Sequence, residues 1–232
     1  GGMDVIEDQH SVLMNKGPSR ISPFLIPMTI ANMAPGLLAI RFNFRGTNFT
    51  LSTACASATN AIGEATRLIR GGILDIAMTG GSEATVTPLA LAGFSNMNAL
   101  SRGAPKTASR PFDRDRDGFV MAEGSATLII EEYEHAMKRG AMIYGEVVGY
   151  GSTDDAFHIT SPEESGDGAY RAMKMALEEA GVDPSEVDYI NAHGTSTPLN
   201  DLMETRAIKR LFGNRQDLNI SSTKSMAGHA LG

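Results

Sequence analysis

Twice in this chain a run that alternates like a β-strand gives way, across a few small residues, to a run with helical spacing. In NFTLSTA (48–54), Phe49, Leu51 and Thr53 alternate with polar neighbours. In SATNAIGEATRLIRGG (57–72), Ala58, Ile62, Ala65 and Ile69 fall on one face, and Gly71-Gly72 stop the helix. The second instance is VDYINAHG (187–194) followed by PLNDLMETRAIKRLF (198–212), where Pro198 suits a first helical turn. Each is followed by another strand-like run, LDIAMTGG (74–81) and LNISSTKS (218–225). Strand, helix, strand is the signature of a parallel α/β unit, so 48–81 reads as one such unit. The pattern predicts an α/β protein with two loosely repeated strand-to-helix junctions. Ligands of open α/β sheets gather at the carboxyl ends of strands, and Cys55 and His193 sit at those two places.

The other segments fill in this plan. Residues 4–28 read as a short helix and an extended connector, and 29–44 as a helix interrupted at Pro35. A long surface connection covers 101–118. A buried strand running into an amphipathic helix covers 124–141, and a further strand 143–155. GGSEA (80–84) reads as a strand end that turns. ESGDGAYRAMKMALEEAGVD (164–183) predicts a helix with Ala172, Met175 and Ala176 inward and Gly181 at its end.

Cys55 is the only cysteine, so an internal disulfide is excluded and a reducing compartment fits. A lone cysteine is ordinarily a small core residue. Here it lies where a strand ends and a helix begins, and the exposed N–H groups of such an end carry about half a positive charge. That field favours the thiolate, and the alanines around it leave room for a substrate, so the residue is placed for covalent catalysis. His193 (NAHGTSTP) and His229 (KSMAGH) are each flanked by a glycine, and Lys224 precedes His229 by five positions. Two imidazoles and an ammonium suit a developing negative charge. A metal is set aside, because one cysteine and two distant histidines lack paired ligand spacing.

Several motifs are discounted. DRDRDGFVMAEG (113–124) matches a calcium loop at Asp113, Asp115, Asp117 and Gly118, but its twelfth position is Gly124. His10, His135 and His158 read as connector, exposed-helix and loop residues, and two glycosylation triplets fall in strand-like runs. A net charge of −7 excludes nucleic acid as a partner, and no apolar run reaches the roughly 18 residues of a membrane span.

With these residues in view, the chain resembles the β-ketoacyl-acyl-carrier-protein synthases, in particular the second, elongating type. STACASATNAIGEA resembles their nucleophile segment, and ASRPFDRDRDGFVMAEGSATLIIEEYEHAMKRGA their central segment. NAHGTSTPLND and SSTKSMAGHALG resemble the two histidine segments, and DAFHITSP leans toward the second type. The resemblance covers essentially the whole chain. It implies a thiolase-like fold of two pseudo-repeated α/β halves in layers, here 1–142 and 143–232, and a cytoplasmic homodimer. Family members continue past the GHxLG motif to a glycine-rich segment, so the chain reads as a piece lacking both ends.

The resemblance also implies roles. Cys55 would accept the acyl group, His193 and His229 would bind the thioester oxygen and support decarboxylation, and Lys224 would support the histidines. Thr195 and Thr197 would hydrogen-bond a phosphopantetheine arm, Thr160 and Ser161 would form its entrance, and Phe94, with Leu25, would approach the acyl pocket. No cofactor is implied, since phosphopantetheine arrives on the acyl carrier protein. Arg20 fits a carrier-docking patch, whereas Asn98 stands where arginine is usual, Asn200 where glycine is, and Ala227 where threonine is common. Four other classes differ in the residues they carry or need. A thiolase needs a second cysteine, a polyketide ketosynthase reads Cys-Ser-Ser and KSNIGH, and an inert partner subunit lacks the cysteine. A cysteine hydrolase needs a base in reach of the sulfur.

Overall fold

A computed structural model describes residues 2–232. In chain order the elements are α1 (Met3–Lys16), α2 (Leu25–Thr29), α3 (Met33–Phe42), α4 (Ser57–Arg70), β1 (Ile76–Glu83), α5 (Pro88–Asn96), β2 (Gly124–Glu131) and α6 (Tyr133–Lys138). They continue with α7 (Asp167–Ala180), β3 (Tyr189–Asn191), α8 (Pro198–Phe212), β4 (Asn219–Ser221) and α9 (Lys224–Ala227). The chain divides into two compact units. The first holds residues up to Gly93, Ala122–Met142 and Ala230–Gly232; the second holds Phe94–Met121 and Ile143–His229. No described helix is long and apolar enough to cross a membrane.

In the first unit, α4 packs on β1. Gly63, Ala65 and Thr66 are its buried positions. β1 pairs antiparallel with β2, from Ile76 opposite Glu131 to Glu83 opposite Gly124. Gly80 has a φ of +153°, and a Cβ there would come within 2.0 Å of the Ala126 carbonyl oxygen, so only glycine fits. The GGSEA run therefore stays in the strand through Glu83 instead of turning. β2 is not the buried strand its sequence suggests: Leu128 and Ile129 are about half exposed, on opposite faces. An apolar run predicts burial only where a neighbour covers it, and among the described residues β2 has β1 as its one strand neighbour.

Two more expectations fail in this unit for clear reasons. Pro35 does not break α3, because it lies in the first turn, where a missing N–H is no loss; the break falls at residues 30–32. Residues 48–53 run outside any ladder and are held by side chains instead. Asn48 Nδ2 donates to the Pro35 carbonyl (3.1 Å) and Thr50 Oγ1 to that of Ala31 (3.4 Å). A strand needs a neighbour, and among the described residues none pairs with this run.

The parallel strand–helix–strand unit expected at 48–81 does not form there, since 48–53 joins no ladder and β1 pairs antiparallel; a parallel unit lies in the second compact unit instead. β3 and β4 pair in parallel, Tyr189 opposite Asn219 and Asn191 opposite Ser221, and α8 connects them. α8 opens with Pro198, carries Asp201 in its first turn and Lys209 and Arg210 in its last, an order that suits the helix dipole. It buries Ala207, Ile208 and Phe212. α7 packs beside it: Asp167 accepts from Arg171 Nε (2.7 Å) and Arg210 Nη1 (2.9 Å), and the Arg210 guanidinium lies 3.9 Å from the Tyr170 ring centroid. Gly181 ends α7 in the left-handed conformation, as expected. Met175, expected inward, is exposed; Ala172 and Ala176 are more enclosed.

Residues 143–155 are not a strand. The segment lies on α7 so closely that a Cβ on Gly149 or Gly151 would sit 2.0 or 1.9 Å from the Ala176 or Ala172 carbonyl. The 101–118 connection is more than surface. Its Asp117 accepts from Ser101 Oγ (2.6 Å), the Arg102 N–H (3.0 Å) and Arg110 Nη2 (3.1 Å), which hold it well below the usual carboxylate range. With Asp117 so engaged, the calcium-like spacing serves loop closure.

Candidate active site

The single thiol sits in a tight turn of the first unit. Ala54–Ala56 form one turn of 3-10 helix that leads directly into α4. Ser57 closes the turn: its Oγ accepts from the Thr53 N–H (3.0 Å) and donates to the Ala54 carbonyl (2.7 Å). Asn60 Nδ2 donates to Thr53 Oγ1 (2.7 Å). Ala54 is left-handed, with a φ of +50°, which costs an alanine about 1 kcal/mol or more. Cys55 is exposed at the start of a 14-residue helix. The strain at Ala54 turns the chain sharply just before the sulfur, a feature that spacing alone does not reveal.

The second unit holds the imidazoles. The rings of His193 and His229 meet edge to face with centroids 5.4 Å apart. Burial, then the Lys224 cation, then His229, push His193 down to about 4; burial and Lys224 push His229 down to about 4 as well. Both rings are therefore neutral at pH 7, each with one N–H to donate. Lys224 Nζ donates to the His193 carbonyl (2.8 Å), and the Lys224 carbonyl accepts from Ser109 Oγ. Histidine 229 follows α9, with its own N–H on the Val120 carbonyl (2.8 Å).

The loop after β3 is fixed from below by α8. Glu204 accepts the N–H groups of His193 (2.6 Å) and Gly194 (2.7 Å), while burial pushes its carboxyl above the usual range. Asp201, one turn earlier and 1% exposed, accepts the Phe112 N–H (2.8 Å). Ser222 Oγ donates to the Gly194 carbonyl (2.8 Å). Gly194 has a φ of +43°, and a Cβ there would lie 2.5 Å from Ser222 Cβ. The sequence reading missed Asp201, Glu204, Ser109 and Ser222. A signal existed for two of them: Asp201, Glu204 and Ile208 share one face of α8, and acids on an apolar face need partners.

Thr195, Thr197, Phe94, Thr160 and Ser161 fall in the second unit too, whereas Leu25 and Arg20 lie in the first. Thr195 Oγ1 and Thr197 Oγ1 are 2.8 Å apart, on a loop whose Ser196 is fully buried with a φ of +68°. Phe94 meets Phe119 edge to face at 5.3 Å, and Phe119 meets His229 at 5.3 Å, so Phe119 links the two. Thr160 and Ser161 lie on a separate loop, their N–H groups both 3.1 Å from His158 Nδ1. Lys224 and the two histidines thus come together with Phe94 nearby, whereas Cys55 belongs to the other unit.

Comparison with known proteins gives this constellation a context. The description "Beta-ketoacyl synthase, N-terminal domain" matches residues 2–136, and "Beta-ketoacyl synthase, C-terminal domain" matches 144–232. A 3-oxoacyl-[acyl-carrier-protein] synthase 2 of Synechocystis is 57% identical over all of this chain and 56% of its own length. One from Staphylococcus aureus is 52% identical over all of this chain and 58% of its own. Among solved structures, a ketosynthase complex with a type II polyketide acyl-carrier protein superimposes with a TM-score of 0.93 at 39% identity, over 98% of this chain and 58% of that one. A β-ketoacyl synthase of Burkholderia phymatum gives 0.91 at 37%, over 100% and 56%. The chain thus spans a little over half the length of the relatives it matches, and its α/β fold is that of the thiolase-like ketosynthases. Matched over 2–136 and 144–232 by the N- and C-terminal domain descriptions of one enzyme, the chain belongs to the β-ketoacyl synthase family.

Proposed function

We propose that the whole protein elongates fatty acyl chains by decarboxylative Claisen condensation, with Cys55 as the acyl carrier. The Cys55 thiolate attacks the carbonyl of an acyl thioester on acyl carrier protein. The bond from that carbonyl to the pantetheine sulfur breaks, and the departing pantetheine thiolate takes up the proton that Cys55 gave up on ionising. A malonyl thioester then loses carbon dioxide, and the electron pair of the broken bond forms an enolate. The enolate carbon attacks the acyl-Cys55 carbonyl, a carbon–carbon bond forms, and the cysteine thiolate departs.

The observation that carries this reading is the pair of neutral imidazoles beside Lys224. A neutral imidazole can donate its N–H to the enolate oxygen without surrendering a proton outright, and Lys224 adds a positive field. In the same reading Thr195 and Thr197 bind the pantetheine arm, Thr160 and Ser161 form its entrance, and Phe94 borders the acyl chain. Residues 1–142 and 143–232 are the two halves in sequence, the protein works as a cytoplasmic homodimer, and it needs no cofactor of its own. A polyketide ketosynthase is the second reading, favoured by the solved neighbours; the higher identity to the curated synthases argues against it.

The test uses a full-length form of the protein with acyl- and malonyl-carrier protein. Cys55→Ala is expected to abolish condensation, and His229→Ala to slow carbon dioxide release by about a hundredfold or more. Retained elongation in the first, or an unchanged release rate in the second, would overturn the assignment.

A further inference from the structure

The loop that joins residue 153 to α7 has no helix or strand through residue 166, yet its two ends are well held, the Ala156 N–H by Asp154 Oδ1 (2.6 Å) and the Glu164 carbonyl by Arg206 Nη1 (2.6 Å) among others. At its base, Thr153 Oγ1 donates to the Gly168 carbonyl (2.7 Å) and Arg171 Nη2 to that of Asp154 (2.9 Å). Asp155 Oδ2 accepts the Glu163 N–H (3.1 Å), closing the loop on itself. At the tip, residues 157–161, His158 supplies the side-chain acceptor: its Nδ1 accepts the N–H groups of Thr160 and Ser161, each at 3.1 Å. Around it Phe157 and Ile159 are 61% and 95% exposed, so apolar packing does not order this tip.

Backbone N–H groups outside regular structure need acceptors. Asn and Asp commonly supply one two residues ahead; the longer imidazole arm here serves residues two and three ahead at once. To accept, Nδ1 must be unprotonated, so the ring proton of the neutral form is on Nε2. We infer that His158 is a positioning residue: it fixes the backbone of Thr160 and Ser161 in the conformation that admits the pantetheine arm. This rests on the reading of those two residues as the arm's entrance.

Two measurements test it. First, a long-range proton–nitrogen spectrum of the labelled chain is expected to show His158 as the Nε2–H tautomer; an Nδ1–H tautomer overturns the inference whatever the enzyme does. Second, in a full-length form, His158→Phe removes the acceptor and keeps the bulk, whereas His158→Asn keeps an oxygen close to where Nδ1 sits. His158→Phe should raise KM for the carrier-bound acyl thioester about tenfold while kcat falls less than twofold, and His158→Asn should recover most of the loss. Cys55 acylation by a small thioester without the arm should respond to neither. An unchanged KM in His158→Phe, or no recovery in His158→Asn, overturns the positioning role. Absence of condensation in the unsubstituted enzyme would instead sink the proposed function, and the tautomer would still decide how the loop is held.

Discussion

The two strand-to-helix junctions look alike in sequence and differ in nearly every physical respect. At the first, Cys55 is exposed on a turn held by Ser57 and Asn60, with its strain taken by Ala54 at a φ of +50°. At the second, His193 and Gly194 are gripped by Glu204, Ser222 and Lys224. Each arrangement suits a different task. A nucleophile must be reached by substrate, so it tolerates exposure and needs only a sharp local turn. A site for a developing anion must be dry and rigid, since fixed donors lose their advantage once water competes or the frame relaxes.

Acid should separate the junctions most strongly. A histidine whose folded pKa is depressed is neutral in the fold while the unfolded chain takes up a proton. Stability is therefore intact above about 6.5 and is lost as pH falls toward about 4, where the folded protein protonates too. Glu204, raised in the fold, works in the opposite sense over its own range and offsets part of the loss. Denaturant midpoints of the chain should fall steeply across this window, by on the order of a few kcal/mol. Replacing both histidines by asparagine should flatten the curve, and an equally steep curve in that variant would remove the second junction's claim to a dry site.

Opposite glycine–alanine exchanges sharpen the contrast further. Gly194→Ala puts a Cβ against Ser222 and forces a left-handed alanine, and should cost about 3 kcal/mol in urea unfolding. An unshifted midpoint would mean that the loop yields. Ala54→Gly relieves strain but loosens the unfolded chain, so stability should move by less than ~1 kcal/mol. A larger loss would show that the first turn is held by more than its own local bonds.

Much of this was readable from residues, and the failures share a cause. α4, α7 and α8 follow from periodicity and their glycine or proline ends, and the β3–α8–β4 unit follows from the same switch of period. Alternation at 48–54 suggests a strand, and the apolar run in β2 suggests burial. Both properties depend on neighbours, which no single stretch of sequence specifies. The candidate residues were found through chemistry: a thiol at a helix start, and imidazoles beside glycines. Their supports were harder to see, because Glu204 and Asp201 act across 10 and 89 positions of chain. Ala54 gave no sign at all, since nothing about an alanine announces a left-handed backbone.

The clamp around position 193 has a corollary for redesign. Glu204 takes the N–H groups of residues 193 and 194, Lys224 the carbonyl of 193, and Ser222 chiefly that of 194. Every one of these grips is on the peptide chain, and none is on the imidazole ring. The loop's backbone is thus held without the ring, so a side chain of similar size that still packs on His229 could be mounted at 193 with the loop in shape, a port for installing a different chemistry.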